Sequence, residues 1–159
     1  MIDQHMRIFR LSLVAVLALV SVLSHAADSA EDLGPQLVEA AKNGDEVSVA
    51  KLLAAGAHPD AVDSQRNTAL IFAARGGHLG IARRLLEHGA IVNWQDGELV
   101  TPLILASFKR HPALVRLLLD HGADTSIRDK WGRRALDYAL RRGDDDPIAA
   151  ILRQGPAKP

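Results

Sequence analysis

The chain has 159 residues, with 19 basic and 19 acidic side chains, so its formal net charge is zero. That balance argues against a nucleic-acid binder working by bulk positive charge. The lack of cysteine excludes disulfides and thiolate zinc sites. Aromatic residues make up only 4%, so each one calls for a reason.

The first element predicted along the chain is a targeting segment over residues 1–26. Arg7 and Arg10 form a basic start, Leu11 to Leu23 is an uncharged apolar run, and Ser24-His25-Ala26 places small residues before a cut ahead of Ala27. Together they read as a secretory signal peptide. The run is shorter than the roughly twenty apolar residues of a membrane span. Two alternatives stay open: retention of the segment as an anchor, and Met6 as the true start. With no cysteine after the run, lipid attachment there is excluded. Residues 27–33 form a short polar leader.

From residue 34 the chain repeats itself at intervals of thirty-three. Gly56, Gly89, Gly122 and Gly155 share one register, and so do Asp63, Asp96 and Asp129. Such a period is the mark of a stacked architecture. The first unit spans about 34–63. Gly34-Pro35 opens its first helix, Leu37 and Ala40-Ala41 supply an apolar face, and Leu52-Leu53 belong to its second helix. Its outer side carries Glu39, Lys42, Asp45, Glu46 and Lys51, as expected of a polar terminal cap. The stretch from Asp28 to Asp63 holds eight acidic and two basic residues.

In the second unit, 64–96, Thr68 is placed to cap a helix carrying Leu70 to Ala74. Gly76-Gly77-His78 makes the turn, and Ile81, Leu85 and Leu86 are core. The third unit, 97–129, has Thr101 as N-cap and Pro102 at the first helical position, where its missing N–H costs nothing. Lys109-Arg110-His111 is the turn. A second helix from Pro112 buries Leu114, Val115, Leu117 and Leu118, and Gly122 ends it where a positive φ is needed. The fourth unit, 130–155, has Gly132, Leu136, Ala139 and Leu140, then Asp146-Pro147 to start the last helix. Residues 156–159 are a tail. From Lys130 onward seven bases face four acids, so overall neutrality conceals an acidic start and a basic end. One core is predicted from Leu70, Leu85, Leu86, Leu103, Leu117, Leu118 and Leu136.

The unit resembles the ankyrin repeat, with its T-P-L-H-x-A-A, G-H and L-L-x-x-G-A-D signatures, over roughly 34–155. Ile71, Ile104 and Asp137 depart from it at the histidine of T-P-L-H, and Arg134 departs from it at the capping threonine. Arg66 and Leu99 stand where the finger turn has glycine, which only Gly132 keeps. The resemblance implies an all-α repeat solenoid of four stacked helix-turn-helix units with short β-hairpin fingers. It also implies protein binding on a concave face, built from the fingers and the exposed side of each first helix.

Repeat register then places residues on that face. From the second unit come Ser64, Gln65, Asn67 and Arg75; from the third, Trp94, Glu98, Val100, Phe108 and Lys109. From the fourth come Lys130, Trp131, Arg133, Arg141 and Arg142. Aromatic and arginine anchors are the usual carriers of interface energy. Whether Trp94 and Trp131 bind or merely brace the fingers stays open at this point. The implied partner is a protein with an acidic, partly apolar surface, met by a monomer that holds no membrane anchor once its leader is gone and binds no nucleic acid.

No catalytic constellation emerges, and no enzyme, cofactor or metal is expected. Gly76-Gly77-His78-Leu79-Gly80 lacks the lysine of a phosphate loop. Asp144-Asp145-Asp146 reads as a solvated turn and a cap, because successive side chains do not converge on one ion. His78 and His111 fall at second-helix starts, and His58 reads as a turn residue. The alternative function is binding of a polyanion or a metal ion, by the basic C-terminal half or by His88 and His121, which are equivalent in adjacent units.

Overall fold

The chain divides into two units, Met1–Asp32 and Leu33–Pro159. The computed structural model describes residues 33–155, all in the second unit. The signal peptide read at 1–26 and the tail at 156–159 lie outside the described residues.

Eight helices follow one another among the described residues: α1 (Leu33–Asn43), α2 (Glu46–Ala54), α3 (Ala69–Gly76), α4 (Leu79–Glu87), α5 (Pro102–Phe108), α6 (Pro112–Asp120), α7 (Ala135–Leu140) and α8 (Pro147–Gln154). None is long and apolar enough to cross a membrane. Each odd-numbered helix packs on the even-numbered one after it. The odd helices also stack on one another in one layer, and the even helices stack in a second.

Local chemistry sets the helix boundaries. Thr68 and Thr101 each accept, at 3.3 Å, the N–H three residues on. The Asp45 carboxylate caps α2 through Ser48 N–H, and Asp146 caps α8 through Ile148 N–H at 2.8 Å. α7 has an arginine at its cap and uses a different device. Asp137, in its first turn, accepts from the Arg134 backbone N–H at 2.8 Å and from the Arg134 guanidinium at 3.1 Å. The two departures of the fourth unit, Arg134 and Asp137, are therefore one compensated exchange. The guanidinium contact leads the causes that hold the Asp137 carboxyl below its ordinary value, and the backbone bond follows it.

Small residues let the first helices approach closely: Ala73, Ala106 and Ala139 share one register and are fully buried. Leu37, Leu70 and Leu103 line the seam between the layers together with Leu85 and Leu118. Leu136 differs from its expected burial. It packs against the core but stays half-buried, because no further helix pair follows among the described residues to cover it.

The β-hairpin form expected of the fingers is not confirmed. The described residues hold no strand, only an isolated antiparallel bridge between Val62 and Thr68. The cause is the aspartate shared by all three fingers. Asp63, Asp96 and Asp129 each turn one carboxylate oxygen onto two finger N–H groups, at 2.8–3.0 Å. The finger is a carboxylate-centred turn, closed by two backbone bonds such as Asp129 N–H to Arg133 O at 3.0 Å and Gly132 N–H to Asp129 O at 2.9 Å. Its tip needs a left-handed residue, and Gly132 provides one at φ 75°. Arg66 at 65° and Leu99 at 60° adopt the same conformation despite their Cβ atoms.

A candidate partner-binding site on the concave face

Successive fingers are tied together in register. Gly97 N–H donates to Gln65 O at 3.1 Å, and thirty-three residues on Lys130 N–H donates to Glu98 O at 3.0 Å. The Lys130 ammonium adds a 2.6 Å contact with the Glu98 carboxylate. A face made of such fingers and the first helices is organised before any partner arrives.

Where the third and fourth fingers meet α5 and α7 there is a slot of about 320 Å³. Val100, Ile104 and Leu105 form its floor, Phe108, Trp131 and Tyr138 its walls, and Glu98, Arg133 and Arg141 its rim. Phe108 is 50% exposed and Trp131 51%, the two exposed aromatic rings among the described residues. The Phe108 and Tyr138 rings meet edge to face at 5.4 Å and 65°. Cations stand over the rings: Lys130 is 4.6 Å from the Trp131 centroid, Lys109 5.3 Å from Phe108 and Arg133 5.6 Å from Tyr138.

Tyr138 is the slot residue that sequence reasoning missed. Its hydroxyl donates to Asp129 Oδ2 at 2.6 Å, fixing the ring to the base of the fourth finger. Burial, then the bond to Asp129, raises the phenol above its ordinary value. For Asp129, burial works upward, but the bonds from Tyr138 and from the Arg133 and Trp131 backbones outweigh it and hold the carboxyl low. The available signal was register: Phe72, Leu105 and Tyr138 occupy one repeat position, and only the last brings a hydroxyl.

The structure brings Glu98, Phe108, Trp131, Arg133 and Arg141 together around the slot, with Lys109 and Lys130 against its rings. Trp94 and Arg142 sit elsewhere. Trp94 is half-buried against the core, donates its indole N–H to Arg66 O at 2.9 Å and lies 5.6 Å under the Arg66 guanidinium. That is the bracing geometry, and it supports the strained tip of the preceding finger.

Arg142 departs from its expected place on the concave face because it points inward. It bonds Asp146 Oδ2 at 2.7 Å, Tyr138 O at 3.1 Å and Ser107 O at 3.1 Å. Its bond leads the causes that depress the Asp146 carboxyl. Arg141 forms no ion pair among the described residues and stays exposed. Two further expectations are corrected. Val100 is buried as slot floor, and Asn67 is buried because its carboxamide clamps Asp63 at 2.8 Å.

One unit earlier, an equivalent recess of about 460 Å³ is polar: Gln65, Asn67 and Arg75 face Asp96 and Glu98. The histidines are locally engaged. His88 and His121 each donate Nδ1–H to a carbonyl one turn back, Arg84 O and Leu117 O, at 2.8 Å. His78 packs against Gly44 and Gly76, and His111 against Gly77. No group of three or more potential metal ligands occurs among the described residues.

Comparison with known families finds a match to the ankyrin-repeat model, in three copies over residues 37–129. No curated protein matches the chain. Ankyrin repeats are generally protein–protein interaction modules and typically non-enzymatic scaffolds. The helix pairs, the stacking in two layers and the family match agree: the chain belongs to the ankyrin-repeat family.

Proposed function

We propose that this protein is an exported interaction module that binds one partner protein on its concave face, at the slot between the third and fourth units, and acts there as an inhibitor or stabiliser of that partner. The observation that carries this reading is the pair of half-exposed rings, Phe108 and Trp131, set on a finger ladder that is already hydrogen-bonded. Single exposed apolar side chains are ordinary, but an exposed apolar patch rimmed by polar residues, as these two rings form in one slot, is the usual mark of an interaction site. Lys109 and Arg141, which make no ion pair among the described residues, favour a partner surface that is acidic as well as apolar. Export rests on the basic start and apolar run of residues 1–26.

The test is a pull-down from the exported fraction with the purified protein, followed by affinity measurement on the captured partner. Trp131→Ala should weaken binding by about 2 kcal/mol or more if the ring is an anchor, with an unchanged melting temperature. Capture of the same partner at wild-type affinity by both Trp131→Ala and Arg141→Ala would overturn the assignment. Steep weakening with salt would favour polyanion binding instead.

A further inference from the structure

The two recesses of the concave face stand one unit apart and are chemically opposite. Glu98, Val100 and Phe108 of the apolar slot lie thirty-three residues after Gln65, Asn67 and Arg75 of the polar one. The fingers that frame them advance by the same backbone bond in the same register. The recesses therefore repeat with the stacking of neighbouring helices, about 8–10 Å. A chain segment lying across both must present an apolar and a polar side chain on one side at that spacing.

Few backbone conformations meet this condition. In a β-strand, same-side residues are two apart, at about 6.5–7 Å, which falls short. One α-helical turn advances about 5.4 Å and two about 10.8 Å, so same-side residues of a helix fall to either side of the spacing. A polyproline II helix has three residues per turn and rises about 3.1 Å per residue, so residues three apart share a side at about 9 Å. Its backbone makes no internal hydrogen bonds, which leaves its carbonyls open to donors. The Trp131 side chain lines the slot, half exposed, and its indole N–H has no partner among the described residues. An aromatic groove with a free indole donor suits such a helix.

Charge specifies the rest of the occupant. Glu98 is matched by Lys130 at 2.6 Å, whereas Lys109 and Arg141 beside the rings have no carboxylate among the described residues. Carboxylates flanking the apolar side chain would complete them. In the polar recess the Arg75 guanidinium reaches Asn67 Oδ1 at 3.3 Å through one nitrogen and can donate to an incoming carboxamide or carboxylate through the others.

We propose that the concave face takes an extended, acidic polyproline II segment of the partner protein. One large apolar side chain enters between Phe108 and Trp131, with its acidic neighbours on Lys109 and Arg141. A polar side chain three residues away enters the recess at Arg75. The proposal rests on the concave-face reading above.

Labelled synthetic peptides test it, with anisotropy as the readout. Each carries one leucine or phenylalanine flanked by glutamates, prolines between, and a glutamine placed two, three or four residues from the apolar anchor. Spacing three should bind best. Phe108→Ala should weaken binding about tenfold or more, the scale of a single anchor. Arg75→Ala should erase the spacing preference while binding persists. Arg141→Glu, an exposed change with no ion pair to break among the described residues, should weaken acidic peptides and improve ones with lysine flanks.

A best spacing of two would replace the proposal with a strand, and absence of any peptide binding would end it. In the latter case a partner captured in the pull-down and lost by Trp131→Ala would leave the concave-face reading standing. Peptide binding indifferent to both Phe108→Ala and Arg141→Glu would sink both. A mass that grows with concentration in the wild type but not in Trp131→Ala would identify a second copy as the occupant.

Discussion

At the scale of the residue, Arg141 and Arg142 show how much neighbouring identical side chains can differ. Arg141 faces the slot and is exposed, whereas Arg142 joins three acceptors from α5, α7 and the α8 cap. Successive residues at a helix end point about 100° apart, so one reaches the binding face and the next turns under it. Arg142→Ala should cost about 2–3 kcal/mol, since it strips charge-assisted bonds from a mostly buried carboxylate and two carbonyls. Arg141→Ala should stay within about 0.5 kcal/mol of wild type. Denaturant melts of the two variants check the pair, and equal losses would show that the clamp is not specific to Arg142. The same contrast explains what was legible. Period and composition placed both arginines at one helix end, but not which of the two found Asp146, a contact made across the longer turn before the last described helix. Trp94 and Trp131 were equally ambiguous: both belong to fingers, and only the 2.9 Å bond to Arg66 O separates the brace from the exposed ring.

At the scale of the element, helix caps and cores followed directly from the repeat, and the fingers did not. Thr68, Thr101 and Asp146 cap where their types and positions say they should. The finger register was visible in Asp63, Asp96 and Asp129, yet a shared aspartate does not announce that its carboxylate will take the N–H groups a strand ladder would use. This has a consequence for pH. Asp63 and Asp129 in the fingers, Asp137 at α7 and Asp146 at α8 all have carboxyls held below the ordinary aspartate value of 3.8. A carboxyl depressed in the folded state binds protons less readily than in the unfolded chain. Its stabilisation is therefore complete above 3.8 and is lost as the pH falls through the folded value. Thermal melts should show stability falling as the medium is acidified below about pH 4. Asp129→Asn should flatten that dependence, while also lowering stability at neutral pH by loosening Tyr138. A melting temperature independent of pH between 5 and about 2 would contradict this account of the fingers.

At the scale of the whole molecule, the described residues form a one-dimensional stack in which each helix pair touches only its neighbours. Stability in such a stack is a sum of unit and interface contributions, and the units at the ends are held from one side only. Leu118 lies in the interior and is fully buried, between α4 before it and α8 after it. Leu136 belongs to the last pair and is half-buried. Truncating Leu118 to alanine should cost about 2–5 kcal/mol, the transfer of the lost methyl groups plus the cavity they leave. Leu136→Ala should cost less, because an open site loses little burial and can relax into solvent. The two substitutions should also differ in how they unfold the chain. Loss at Leu118 divides the stack, so both halves become less protected against hydrogen exchange. Loss at Leu136 frays α7 and α8 while α1 to α5 keep their protection. The candidate site spans this boundary, with Phe108 on the interior side and Trp131 and Tyr138 on the frayed side. A partner seated in the slot therefore bridges the least and the more stable parts of the stack, and by binding only the folded form it should raise protection in α7 and α8 first. Exchange measured with and without the captured partner decides the point: protection gained in α1 and α2 but not in α7 would place the partner at the opposite end of the molecule.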